Sequence, residues 1–126
     1  MDLKRYLLTA LIPNGGNITA AGVDLIGDLV GPPLNQASAL VGIVMPSGWT
    51  TANLTFQGSA DNATYNDIYD ENGSEVVIVA AASRFITIPP RFLIAPRYLK
   101  VRSGTTGTPV AQGAERSLAL IVRPAL

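Results

Sequence analysis

Four polar residues within seven positions are of the types that proteins use for chemistry. They are Ser59, Asp61, Asn62 and Tyr65, and they directly follow the alternating run Leu54–Gln57. A serine becomes a nucleophile when a neighbouring base removes its proton, and histidine is the usual base. The chain contains no histidine and no cysteine. Histidine-dependent serine or cysteine catalysis is therefore excluded.

The acidic residues near this stretch are Asp61, Asp67, Asp70 and Glu71. A pair of carboxylates about 5–10 Å apart can hydrolyse glycosides, but these acids lie in turn-rich sequence, where Asp and Asn bind their own backbone. An EF-hand calcium loop is also a poor match, because Ala63 stands two positions after Asp61. The sequence predicts turns here. We expect no enzyme activity, no metal and no cofactor.

The composition indicates a single domain, residues 1–126, that is unusually poor in charge. Charged residues make up 14% of the chain and hydrophobic residues 48%, with a mean hydropathy of +0.30. Soluble domains usually carry about 25% charged residues. No apolar run approaches the roughly 20 residues of a membrane helix, so no membrane contact is expected. A homo-oligomer, in which other subunits cover much of the surface, explains the composition better.

The charges are distributed unevenly along the chain. Residues 1–83 carry two basic against eight acidic residues, a balance of −6, and residues 84–126 carry the opposite balance of +6. The favoured interpretation is that the two halves fold together and neutralise each other. The alternative is a head-to-tail contact between subunits of a ring. The basic residues alternate with apolar ones and form no cluster, so no nucleic acid is expected as a partner.

Short apolar or alternating runs, separated by Gly, Pro, Asn and Asp, predict an all-β protein. The β-branched run Glu75–Ala81 is expected to be a buried strand. The spacing of the runs favours an antiparallel β-sandwich or jelly roll of about seven or eight strands. The predicted strands are residues 4–12, 38–45, 53–57, 67–69, 75–81, 84–88, 98–102 and 117–123.

The N-terminal part, residues 1–37, is predicted to hold the first strand and an extended arm or loop, and residues 38–126 the jelly-roll core. The first apolar stretch is interrupted by Thr9 and preceded by Asp2. A strand is therefore expected there, not a secretory signal. Residues 21–30 have apolar residues on one helical face, so a helix and a loop arm are both open there.

Aromatic residues supply the remaining site candidates. Trp49 leads into the strand at 53–57 and is expected to pack in the core, the alternative being a ring that stacks on a sugar. Tyr65 and Tyr69, four positions apart around a turn, either flank a ligand groove or cap the edge of the core. The candidate residues for contact with a ligand or another subunit are Trp49, Asp61, Asn62, Tyr65 and Tyr69.

Four elements of the sequence form a recognisable set: Trp49, LTFQGS at 54–59, YLKVRSG at 98–104 and Ala111-Gln112. Through them, two thirds of the chain resembles a group of small structural proteins of tailed phages and prophages. The resemblance implies a non-enzymatic virion protein, made in the host cytoplasm and not secreted. Such a protein is a head-associated decoration or the base of a head spike or fibre. Its expected partners are the major capsid protein or a fibre or spike protein.

The same region resembles the discoidin, or galactose-binding-like, jelly roll. In that fold a strand runs into a Ser-x-Asp-x-x-x-Tyr/Trp pattern, which Ser59, Asp61 and Tyr65 match, with Asn62 at a position that is usually glycine. This resemblance implies the alternative function, a carbohydrate-binding module for host adhesion. It would use loops near Trp49 and Asp61–Tyr65.

Overall fold

The computed structural model describes residues 7–26 and 38–124, which form two four-stranded antiparallel sheets. Sheet I has the order β1-β8-β3-β6, and sheet II has the order β2-β7-β4-β5. This order is that of an eight-stranded jelly roll, so the predicted fold class is confirmed. The strands are β1 (Leu7–Ile12), β2 (Val23–Asp24), β3 (Ser38–Val44), β4 (Leu54–Ser59), β5 (Asn66–Asp67), β6 (Phe85–Thr87), β7 (Tyr98–Ser103) and β8 (Arg116–Pro124).

The core lies between the two sheets and is built by the alternation of side chains along the strands. Leu54 and Phe56 of β4 point inward and are fully buried, as are Leu99 and Val101 of β7. These four inward positions are those that the alternating runs predict. A short 3-10 helix, Pro90–Phe92, leads into the buried Leu93 and covers one end of the core.

The outer face of sheet I is apolar. Its exposed residues include Leu7 and Leu11 of β1, Val44 of β3 and Phe85 of β6, at 60%, 44%, 37% and 65% exposure. Between them lie the half-buried residues of β8, such as Ile121, which is opposite Leu7. The other outward positions of this face are uncharged as well, up to Arg123 at the end of β8, so the middle of the face has no charge. The outward-facing residues in the middle of sheet I are Leu7, Thr9, Leu11, Gly42, Val44, Phe85, Thr87, Ser117, Ala119 and Ile121.

The outer face of sheet II is polar. Thr55 of β4 is paired with Arg102 of β7, and Gln57 is paired with both Lys100 and Asp67. The two outer faces of the sandwich therefore differ in chemical character, although both belong to four-stranded antiparallel sheets. The face of sheet I is therefore suited to apolar contacts, and the face of sheet II to polar contacts.

One prediction about local structure is wrong, and one open alternative is decided. The run Glu75–Ala81 is not a buried strand: only Ile78 pairs directly with β4, and Val77 and Val79 are 40% and 67% exposed. At residues 21–30, where a helix and a loop arm were both open, the described part holds no helix: β2 lies there, and the buried Leu25 donates its N–H to the carbonyl of Arg97 at 2.7 Å. Residues 27–30 lie outside the described residues.

The described part of the predicted N-terminal arm is integrated into the sandwich. After β1, the chain donates a hydrogen bond from the N–H of Gly15 to the carbonyl of Gln112 (2.8 Å), and another from Thr19 to Val101 (3.2 Å). Residues 1–6 and 27–37, the rest of that prediction, lie outside the described residues. Among residues 7–26 and 38–124, no helix is long and apolar enough to cross a membrane.

Candidate functional site

Ser59, at the end of β4, organises the turn that follows it. Its hydroxyl Oγ accepts hydrogen bonds from the backbone N–H of Asp61 (3.2 Å) and of Asn62 (2.9 Å), and donates to Asp61 Oδ1 (2.9 Å). Ser59 is 6% exposed. A serine hydroxyl in these three bonds caps a turn and is not poised as a nucleophile.

Asp61 continues the same turn. Its Oδ1 accepts hydrogen bonds from the N–H groups of Ala63 and Thr64, each at 2.9 Å. These bonds stabilise the charged carboxylate, chiefly the bond from Thr64, and hold the pKa of Asp61 below its usual value. The Asp61 side chain therefore has a sufficient structural role in an exposed turn.

Tyr65 lies at the end of this turn and packs against the N-terminal segment at Gly22. Its hydroxyl donates to Oδ1 of Asn62, a residue in the left-handed region at φ 61°. A Cβ atom added to Gly22 would lie 1.7 Å from the Tyr65 hydroxyl, so the absence of a side chain at Gly22 makes room for the tyrosine. The Lys100 ammonium stands 4.3 Å from the centre of the Tyr65 ring. Burial is the main cause that raises the pKa of Tyr65.

Trp49 is a core residue. It is 5% exposed, and its indole Nε1 donates to the carbonyl of Ala52 at 3.1 Å. The expectation of core packing is confirmed. The alternative, a ring that stacks on a sugar at the surface, is not compatible with this position.

Tyr69 is the one predicted aromatic residue with a largely free ring, at 52% exposure. It lines an open cleft of about 450 Å³, which lies between the segment around β5 and the segment around the 3-10 helix. The turn residues Asp61, Asn62 and Tyr65 do not line this cleft. The cleft is lined by Gly58, Ser59, Ala60, Asn66, Asp67, Ile68, Tyr69, Asp70, Glu71, Val76, Arg91, Phe92, Ala95 and Pro96.

The cleft combines aromatic and polar side chains. On one wall the Arg91 guanidinium lies 4.2 Å from the centre of the Phe92 ring. On the opposite wall, Asp70 Oδ1 accepts the N–H of Asn72 (2.9 Å) and of Ser74 (3.0 Å), while the neighbouring Glu71 is exposed. An aromatic lining with a few polar side chains is typical of sites for small ligands.

Arg102 forms a charged network on the outer face of sheet II, although it is 8% exposed. It donates to Asp67 Oδ1 at 2.5 Å and to Glu75 Oε2 at 3.4 Å, and also to Thr106 Oγ1 at 2.8 Å. The Thr106 hydroxyl donates in turn to Glu75. Opposite charges on neighbouring strands stabilise a sheet, but no local pattern in the sequence predicts that Arg102 is buried.

Within residues 7–26 and 38–124, no group of three or more acidic residues is arranged to hold a metal ion. A scan of the chain against protein-family models finds no match. No curated protein is significantly similar to it in sequence.

Proposed function

We propose that the protein is a non-enzymatic structural component of a tailed-phage virion. In this proposal it is a head-associated decoration protein or the base of a head spike or fibre, which forms homo-oligomers and docks on the capsid. It is made in the host cytoplasm, resides in the virion, and binds neither nucleic acid nor membrane. The resemblance at residues 49–112 motivates the proposal, and the surface of the sandwich supports it.

The observation that carries the proposal is the uncharged outer face of sheet I. Phe85 and Leu7 expose 65% and 60% of their surface there, and Leu11 and Val44 extend the apolar area across the sheet. Burial of apolar surface is favourable by about 25 cal/mol per Å². A contiguous exposed patch of this kind marks a contact with another protein. We assign it to the capsid, whose matching surface must also be apolar and free of charge.

Two further observations support a structural role. Jelly rolls build viral capsid domains as well as lectins, although a fold by itself does not determine function. The Ser59–Tyr65 turn, which has the residue types of an active site, uses its hydrogen-bonding groups to hold its own backbone. This turn is therefore a structural element in the proposal.

Co-sedimentation with capsids tests the proposal. Purified protein is mixed with capsids that lack it, and the bound fraction is measured for the wild type and for Phe85→Lys. Phe85 is largely exposed, so the variant should fold, but a lysine at this position places a charge in the apolar contact. The matched control is Thr51→Lys, which adds the same charge at an exposed loop position outside sheet I.

The proposal predicts that the wild type and Thr51→Lys bind capsids and that Phe85→Lys binds much more weakly. If the wild type stays in the supernatant at every concentration tested, the proposed function is wrong. If Phe85→Lys binds as well as the wild type, the assignment of sheet I to the capsid contact is wrong.

Carbohydrate binding is the second candidate function, because the cleft presents the exposed ring of Tyr69 beside polar side chains. A glycan array with the full chain would detect it. A real sugar site predicts that Tyr69→Ala abolishes the signal while Phe85→Ala, which removes another exposed aromatic ring outside the cleft, leaves it unchanged. An array with no binding, or equal loss in both variants, would reject this candidate.

A further inference from the structure

The segment 75–80 forms one edge of the sandwich beside β4. Leu54 and Ile78 exchange two backbone hydrogen bonds, each 2.9 Å long, and the N–H of Val76 donates to the carbonyl of Ile68 at 3.1 Å. In an antiparallel pair, a residue that exchanges both bonds directs its N–H and C=O toward its partner, and the residues on either side direct theirs away. Val77 and Val79 therefore direct their backbone groups away from the sheet.

These outward groups have no partner within the sandwich. Neither Val77 nor Val79 makes a backbone hydrogen bond to any residue in the described part of the chain, and their side chains are 40% and 67% exposed. Proteins usually protect such an edge with a lysine, a proline or a bulge. The run from Val76 to Ser83 contains no charged residue and no proline. An unprotected edge of this kind is suited to pairing with another strand.

We propose that two copies of this chain pair through this edge, antiparallel and symmetric about Ile78. In this register, Val77 of each copy is opposite Val79 of the other, and four backbone hydrogen bonds join the two copies. The inference rests on the proposed function, because it identifies the contact through which the proposed homo-oligomer forms. The pairing would extend sheet II of one copy into sheet II of the other.

The edge fits a second copy because it is complementary to itself. A two-fold contact places the same segment on both sides, and this register matches each outward donor with an outward acceptor. It also gives two pairs of facing valines, a favourable cross-strand combination. Charge supports the same register. Glu75 is already bound by Arg102 and Thr106 of its own chain. In this register it is opposite the uncharged Ala81 of the other copy.

Single cysteines test the register directly, since the natural chain has no cysteine. Symmetry about Ile78 makes it a non-hydrogen-bonded pair with its own copy, with Cα atoms about 4.5 Å apart, within the range that a disulfide bridges. Val79 is opposite Val77, so two Val79 residues are diagonal neighbours about 7–8 Å apart, near or beyond the disulfide limit. Ile78→Cys should therefore give several-fold more disulfide-linked dimer under mild oxidation than Val79→Cys.

The comparison is informative because Val79 is the more exposed residue, so random collisions would favour Val79→Cys. If Ile78→Cys does not fold, as judged by circular dichroism, the test uses a mixture of Val77→Cys and Val79→Cys. The mixture should yield more linked dimer than either protein alone. Equal or greater linkage by Val79→Cys alone, or no enrichment in the mixture, would overturn the proposal.

A second measurement separates this inference from the proposed function. Val79→Lys adds the charge with which edge strands avoid pairing, and light scattering should report a several-fold weaker self-association than for the wild type. An oligomer that is unaffected by Val79→Lys and gives no Ile78 linkage would overturn the edge contact, while capsid binding would still support the proposed function. If Ile78→Cys is linked but the protein does not bind capsids, the edge contact is supported and the proposed function is wrong.

Discussion

Replacement of Arg102 by methionine should destabilise the protein far more than the same replacement at Arg97. Both arginines donate to a carboxylate: Arg102 to Asp67 and Glu75, and Arg97 to Asp24 at 3.2 Å. Their side chains differ in exposure, 10% for Arg102 and 47% for Arg97. The comparison therefore asks whether burial, and not the mere presence of an ion pair, determines the contribution to stability.

The expected loss of unfolding free energy in Arg102→Met follows from the carboxylates that lose their partner. Removal of one member of a buried ion pair destabilises by about 3–5 kcal/mol, because the remaining charge is buried without compensation. The Glu75 side chain is 14% exposed and that of Asp67 is 27% exposed. Since water reaches Asp67 in part, we expect a value at the lower end, about 3 kcal/mol for Arg102→Met. The exposed Arg97 pair should contribute far less, because surface ion pairs are weak.

Urea unfolding measures this difference, and the fluorescence of the single, buried Trp49 gives a convenient signal. With an m-value of about 1.5 kcal/mol/M, a loss of 3 kcal/mol lowers the unfolding midpoint by roughly 2 M. Arg97→Met serves as the matched control and should unfold close to the wild-type midpoint. Midpoint shifts of similar size in the two variants would refute the reasoning, as would an Arg102→Met protein as stable as the wild type.

Three other predictions follow from single contacts. The hydrogen bond from Arg102 is the main cause that lowers the pKa of Asp67, so its contribution to stability is present above the ordinary carboxyl pKa and is lost as the pH falls below about 4. In Asp67→Asn, the free energy of unfolding should therefore fall less steeply with decreasing pH below about 4 than in the wild type. Gly22→Ala should destabilise the fold because its Cβ meets the Tyr65 hydroxyl at 1.7 Å, and Tyr65→Phe, which removes that oxygen, should recover part of the loss in a double-mutant cycle. Gly104→Ala should lower stability by about 2 kcal/mol in thermal unfolding, because Gly104 has φ +93° and its Cβ would lie 2.4 Å from the carbonyl of Thr108.

The sequence predicts the sandwich well where polar and apolar residues alternate. Tyr98–Arg102 alternates clearly, and the structure buries Leu99 and Val101. Turns are also accurate where their chemistry is local, as at Asp70, whose carboxylate binds the N–H groups of Asn72 and Ser74. These features depend on residues that are close together in the sequence, so the sequence alone predicts them.

The prediction failed where two positions have the same residue type but different environments. Val76 is buried and Val77 is 40% exposed. The run VVIVA at 76–80 is apolar throughout, so it has no alternation that distinguishes the two, although the segment lies at an unpaired edge of the sandwich. The burial of Arg102 was missed for a related reason. Its partners Asp67 and Glu75 are 35 and 27 positions away, so only the folded sheet brings the three charges together.

The candidate site was predicted in part. The sequence predicts a turn at Ser59–Tyr65, but the packing of Tyr65 against Gly22 depends on the path of a distant segment. Tyr69 was named from its spacing to Tyr65, yet its cleft is completed by Arg91 and Phe92. A cleft formed by segments that are far apart in the chain leaves no local signature in the sequence.

The position of the protein in a virion reconstruction tests the central claim most directly. The claim predicts density for the sandwich on the head, with Leu7, Leu11, Val44 and Phe85 of sheet I buried against the capsid shell. Purified virions that lack the protein would contradict the claim. So would virions in which this face of sheet I is turned toward solvent.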